Sequence, residues 1–292
     1  MKIGILTDST ADLNQKYIDK YDIEIIPLSV QFEDKVYTDG KDMDSTTFFK
    51  KLSSSEKLPT TSMPSVSLFK EKYQKMIKKH DTIISIHLSS TLSGTLESAK
   101  LAARDFPDTN IHFIDSYSIS LGLGFLTLLA ARLSKTIDSI EEIVNTLKRA
   151  RENILLYFTV DDLKYLKEGG RIGKASAFLG SILNINPIIS FNSKNGEVIP
   201  LEKTRGKNRT MKKMIEIGKE KLKKSSQAWI GFVHGERKKD LDTFEDSFLK
   251  SIKDFDLRYK TFSAQISPTL GCHVGPEVYA AVILTGNYLN ID

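Results

Sequence analysis

The sequence has little of what anchors secreted or metal-bound folds: one cysteine, Cys272, in 292 residues. A lone thiol excludes an intrachain disulfide and accords with a reducing, cytoplasmic setting, where the chain is expected to work. Histidine is scarce as well, at five. No HExxH, CxxC or paired Cys/His spacing occurs, so no zinc site is expected, and nothing implies another metal or a cofactor. Long hydrophobic runs are missing. The greasiest stretch, Leu121 to Ala131, is interrupted by Thr127 and falls short of the ~20 residues that cross a bilayer. The opening MKIGILTDST enters a strand pattern directly, without the charged and apolar regions of a secretion signal. Nor is there a large excess of one charge, since 42 Lys and Arg against 37 Asp and Glu leave +5. Basic runs such as 219–224 are short enough to be solvated helix faces, so nucleic acid is not an expected partner. Transient attraction to an anionic membrane is the non-specific contact that this excess allows.

What is present is an alternation of strand and helix patterns. Its centre is Asp81 to Asp105, where the apolar, β-branched run Ile83 to Leu88 reads as a buried strand. Leu92, Leu96, Ala99 and Ala103 then follow at helical spacing. Between them, Ser89-Ser90-Thr91-Leu92-Ser93-Gly94-Thr95 sets five hydroxyls and a glycine where the first N–H groups of a helix lack partners. Such a corner suits an anion, although one or two of those hydroxyls would suffice for capping alone.

Upstream, Lys2 to Thr7 is a short strand that ends in Asp8-Ser9-Thr10-Ala11-Asp12-Leu13. Ile23 to Phe32 reads as extended and turns back through Glu33-Asp34-Lys35, with Pro27 arguing for an edge position. Leu58 to Ser65 carries Thr60, Thr61 and Ser62 between two prolines and reads as a loop, with Ser65 capping the next helix. Downstream, Leu121 to Leu133 is apolar on nearly every face, the mark of a helix buried on all sides or lining something greasy.

Ser139-Ile140-Glu141-Glu142 matches a capping box for a helix that runs to about Arg151 and closes the first half, with the boundary near residue 154. The second half opens with a strand from Ile154 to Val160 and a glycine-rich basic loop, 168–174, leading into Ala175 to Leu183. That loop lacks the Walker spacing and is not read as a nucleotide cradle. Asn195-Gly196 between extended runs signals a hairpin, and alternating strands and helices continue to Leu284. The pattern predicts an α/β fold in two lobes, residues 1–153 and 154–292, with a ligand site at their junction. The stretch 267–276, with His273 in it, is expected to be a loop.

These residues admit a hydrolase or thioesterase reading, with Ser93 as nucleophile and His273 as base, although the GxSxG elbow is absent. They also resemble a family. Asp8 to Leu13, Thr61 to Ser65, Ser89 to Thr95, Ser120-Leu121-Gly122-Leu123-Gly124, Glu168 to Gly173 and His273-Val274-Gly275-Pro276 span nearly the whole chain. In that order they resemble the DegV family of bacterial fatty-acid-binding proteins.

The resemblance implies one long-chain fatty acid, palmitate- or oleate-like, with its tail buried and its carboxylate at the lobe junction. It implies that Thr61 and Ser93 bind the carboxylate, with Ser62, Gly94 and His273 beside it. No catalysis by the chain itself follows. A separate fatty-acid kinase is the implied partner, making acyl phosphate for phospholipid synthesis. Leu121 and Phe125, at the start of the apolar helix, are expected to shape the tail pocket, and Arg171 and Arg205 to dock the partner. Two departures stand out: Met63 where the family often has Gln, and Glu277 where a small residue commonly follows Gly275-Pro276.

Overall fold

In the computed structural model, which describes residues 1–179 and 185–289, the fold is α/β with three sheets. The first half runs β1 (Ile3–Asp8), α1 (Gln15–Tyr21), β2 (Ile23–Ile26), β3 (Ser29–Phe32), β4 (Lys35–Thr38) and α2 (Ser45–Ser53). It continues through β5 (Thr60–Ser62), α3 (Val66–Ile77), β6 (Thr82–His87), α4 (Thr95–Ala103), β7 (Asn110–Asp115), α5 (Ser120–Leu133) and α6 (Ile140–Glu152). The second half begins with β8 (Ile154–Thr159), α7 (Lys164–Glu168), β9 (Asn186–Phe191), β10 (Val198–Thr204) and α8 (Lys207–Leu222). It ends with β11 (Gln227–His234), α9 (Lys238–Ser251), β12 (Arg258–Gln265), α10 (Pro268–Val274) and β13 (Tyr279–Thr285).

Parallel strands in the order β2-β1-β6-β7 form the first sheet, and β10-β9-β8-β13-β11-β12 form a larger mixed one. Helices α3 and α4 cover one face of the first sheet, and α8 and α9 cover the outer face of the second. Between the two sheets lies α5, which touches β1 and β6 on one side and β8, β11 and β13 on the other. This placement explains its sequence. Every residue of α5 is buried, which is why nearly every face is apolar.

The glycines near the start of α5 leave no open space. A Cβ at Gly124 would run into the Ala11 carbonyl at 2.5 Å, so glycine is what lets the turn after β1 lie against the helix. Farther along, Phe125 meets Trp229 edge-on with ring centres 5.5 Å apart and lies 4.9 Å from Phe262. One continuous core accordingly includes Ile5 and Ile86 of the first sheet together with Phe158, Val233 and Val282 of the second.

Two expectations need correction. Thr60 to Ser62 is not loop but β5, which pairs with β3 in a small antiparallel sheet beside β4 and places Thr61 opposite Val30. The flanking prolines disguise it, because only three residues are extended. Residues 267–276 are likewise mostly helical. Ser267 stands at the N-cap of α10, Pro268 opens it, and Gly275 at φ 77° closes it. A helix of seven residues containing Gly271 carries too little periodicity to be read. After α7, a 3-10 turn spans Gly173–Phe178, and the end of the predicted stretch, 180–183, lies outside the described residues.

Candidate functional site

The local chemistry of the hydroxyl-rich turn divides its residues between two tasks. Ser89 and Thr91 donate to the Gly196 carbonyl at 3.0 and 2.7 Å, latching the Asn195-Gly196 hairpin of the second half onto the first. Gly196 sits at φ 72°, and a side chain there would collide with the Ser89 hydroxyl. Ser90 turns outward, its N–H on the Asp115 carboxylate. That leaves Leu92, Ser93, whose hydroxyl pairs with Thr95 at 2.9 Å, and Gly94 to face a cavity.

The Asp8-Ser9-Thr10 motif proves to be internal scaffolding. The Asp8 carboxylate accepts from the Thr10 and Leu88 backbone N–H groups and meets His87 Nδ1 at 3.1 Å, with both side chains fully buried. Asp12 likewise ties elements together. It accepts from the Ser120 hydroxyl at the start of α5, at 2.6 Å, and from the Ser267 N–H before α10, at 2.9 Å. Burial pushes its carboxyl up to about 8, and that of neighbouring Asp39 up to about 6.

The cavity these clips surround has a volume of about 590 Å³ and draws its walls from both halves. Its polar part includes Thr61, Ser62, Ser93, Gly94, Ser98, Arg171, Thr269 and His273; Ile119, Phe158, Phe191, Val198, Leu270 and Val274 are among its apolar residues. Thr61 Oγ1 and His273 Nε2 lie 2.9 Å apart across 212 positions of sequence. His273 reaches this position because residue 169 is glycine; a Cβ there would strike the imidazole.

Burial pushes His273 down to about 4, helped by the Arg171 guanidinium, so the ring is neutral at physiological pH. Its Nδ1 is buried without a partner. An orphaned N–H is rarer than an orphaned acceptor. The proton therefore belongs on Nε2, donating to Thr61 and freeing the Thr61 hydroxyl to donate to a ligand.

The structure thus brings Thr61, Ser62, Ser93, Gly94 and His273 to one cavity. It does not place Leu121 and Phe125 there. Leu121 packs over Gly231, and Phe125 belongs to the aromatic cluster with Trp229 and Phe262, because α5 meets the second sheet where that sheet has no side chain to offer. Arg171 is also not where docking requires it. Its Nε donates to the Leu92 carbonyl at 3.2 Å and its Nη1 to the Gly169 carbonyl at 2.6 Å, and it lines the cavity as the only charged side chain among the described residues there.

The mouth therefore holds one cation besides its neutral donors. Arg205 is exposed before α8 and takes no part in the cavity. Met63, half exposed, lays its thioether against Gly94, where it accepts from Ser98 Oγ at 3.7 Å. Glu277 turns away to pair with Arg237. The hydrolase reading needs Ser93 and His273 in contact, whereas Ser93 pairs with Thr95 and His273 with Thr61. Burial also pushes the Cys272 thiol up, away from nucleophilic character. Among the described residues no helix is long and apolar enough to cross a membrane, and no acidic, His or Cys cluster could hold a metal ion.

Sequence reasoning missed Ser98, Thr269 and the apolar wall, since Phe158 and Leu270 look like ordinary core residues. Comparison with known proteins agrees with this architecture. A DegV domain-containing protein of Clostridium acetobutylicum is 35% identical over 286 residues, 97% of this chain and 98% of its own. A structure described as fatty acid binding of a DegV family protein from Thermus thermophilus superposes with a TM-score of 0.92 at 29% identity, covering 98% of this chain and all of the other. That of DegV from Bacillus subtilis, described as a fatty acid binding protein, gives 0.88 at 29% identity with the same coverage. With the model of the DegV family of uncharacterised proteins matching residues 2–286, the chain belongs to the DegV family.

Proposed function

We propose that this protein is a carrier for one long-chain fatty acid, without catalysis of its own, built from two lobes that meet near residue 154. One observation carries the reading: a 590 Å³ cavity with an extensive apolar wall and a Thr61–His273 pair and Arg171 among its polar lining. The relatives described as fatty acid binding support it.

The energetics divide by position. A C16 tail buries ~14 methylenes at ~0.8 kcal/mol each, roughly 11 kcal/mol before ordering costs. A carboxylate brought into the same cavity needs hydrogen bonds to offset its lost hydration. Thr61, Ser62 and Ser93 hydroxyls and the Gly94 N–H are the donors, His273 orients Thr61, and Arg171 balances the charge. The tail sets affinity and the polar mouth sets orientation.

In this reading the ligand is palmitate- or oleate-like, and the carboxylate is presented to a separate fatty-acid kinase for acyl-phosphate formation and phospholipid synthesis. The setting is cytoplasmic, with transient membrane contact during exchange. Arg205, exposed and outside the cavity, supports a docking role. Native mass spectrometry of the purified protein tests the carrier reading. A mass increment matching a fatty acid is expected; a ligand-free protein that also ignores added palmitate and oleate refutes it. Arg205→Ala should leave loading intact while lowering acyl-phosphate production with a cognate kinase, and unchanged production would remove docking.

A further inference from the structure

Met63 stands where two polar sides of the cavity meet. It follows β5, two residues after Thr61, and precedes Pro64 and Ser65, whose hydroxyl accepts from the Leu68 N–H at 3.2 Å and caps α3. The backbone is thus held on both sides, and the side chain reaches across to the turn that carries Ser93. Its sulfur lies against Gly94, where a Cβ would fall 2.6 Å away, and accepts from Ser98 Oγ at 3.7 Å. The missing side chain at residue 94 is what seats the thioether there.

Gly94 is the N-cap of α4, and no side chain caps that end. The first N–H groups of the helix therefore lack helical partners and carry the positive end of its dipole. A thioether is a weak acceptor and leaves those donors to a carboxylate. A sulfoxide in the same seat is polar and accepts without donating. It would draw the Ser98 hydroxyl and the free N–H groups to its own oxygen, and it would set a partial negative charge beside the bound carboxylate.

Exposure singles this methionine out. Of the six in the chain, Met43, Met76 and Met214 are at most 2% exposed, and Met211 packs against the outer core. Met63 is 52% exposed, and Met1, the other exposed one, does not line the cavity. Cys272 is no competing sink, because burial keeps its thiol protonated and the thiolate is the form that peroxide attacks.

We infer that Met63 is an oxidation site through which hydrogen peroxide from the solvent loosens the hold on the carboxylate. The inference rests on the fatty-acid reading above. The sulfur lone pair attacks one peroxide oxygen, and the O–O bond breaks as the S–O bond forms. The departing hydroxide takes the proton left on the transferred oxygen and becomes water. Sulfur is oxidised by two electrons and peroxide is reduced. Methionine sulfoxide reductases, with a dithiol as reductant, reverse the step.

The test treats delipidated protein with limiting hydrogen peroxide, maps the oxidised residues by peptide mass spectrometry and titrates oleate. Met63 should gain one oxygen ahead of Met43, Met76 and Met214. Oleate affinity should then fall about tenfold, as for the loss of one hydrogen bond to a charged group. Treatment with the reductases for both sulfoxide epimers and dithiothreitol should restore it. Met63→Leu, which has no sulfur to oxidise there, should keep its own affinity through the same peroxide treatment. Oxidation that spares Met63, unchanged affinity in protein oxidised at Met63, or an equal loss in Met63→Leu overturns the inference while the untreated wild type still binds. An untreated wild type that ignores oleate overturns the carrier reading instead.

Discussion

Replacing Thr61 by Val keeps the shape of the side chain and deletes the hydroxyl that pairs with His273 and, on the carrier reading, donates to the carboxylate. The bound carboxylate loses a charge-assisted hydrogen bond, worth about 1.5–3 kcal/mol. At 1.4 kcal/mol per factor of ten, affinity should fall roughly 10- to 150-fold. Loading should survive, because the tail still offers roughly 11 kcal/mol gross. A second effect concerns the protein alone: Nδ1 of His273 already lacks a partner, and the substitution orphans Nε2 too. That costs stability on the order of 1–3 kcal/mol with or without lipid. The assay is transfer of bound oleate to acceptor vesicles, followed beside urea unfolding of delipidated protein. Thr61→Ser should restore both quantities. Wild-type transfer rates in Thr61→Val, with unfolding shifted as expected, would show that the hydroxyl supports the fold and never meets the carboxylate.

Arg171→Gln removes the one cation among the described residues of the cavity and should weaken oleate binding while leaving oleyl alcohol binding unchanged, as competition titrations would show; equal losses for both would assign Arg171 to packing. Leu121→Ala should cost about 2–5 kcal/mol in urea unfolding and leave the bound-lipid profile as it was, since Leu121 fills space over Gly231. Asp12, raised to about 8, keeps its proton in the folded protein over the range from about 4 to 8 where the unfolded chain has lost it. Its contribution to stability therefore falls as pH rises through that window. Asp12→Asn should flatten the decline in urea midpoint between pH 6 and pH 8, and an unaltered slope would assign the decline to other groups.

The sequence made the buried helix α5, the strand turns and the Asn-Gly hairpin legible, because each rests on local rules of periodicity or turn chemistry. Thr61, Ser62, Ser93, Gly94 and His273, which meet at one cavity, are legible only as a set of motifs. Singly, Thr61 looked like loop and Ser93 like a cap, and no spacing rule announces a contact between positions 61 and 273. Hydroxyls alone also misled. Ser89, Thr91 and Ser120 satisfy carbonyls or carboxylates of the scaffold, so a hydroxyl-rich turn marked the place without saying which oxygens are free. Leu121 and Phe125 read as tail residues because a helix apolar on nearly every face must bury each of them. What occupies each face depends on a second sheet that packs from the far half of the chain. Arg171 shows the converse: a charge in a surface-like loop is drawn inward by two backbone carbonyls.

The most direct test of the carrier account is a crystal structure of the protein loaded with oleate. The account predicts continuous density with the carboxylate against Thr61 and Ser93 and the chain along the apolar wall of the cavity, beside Phe158 and Leu270. Oleate bound elsewhere, or a carboxylate lying more than a hydrogen bond from Thr61, Ser93 and Arg171 alike, would contradict it.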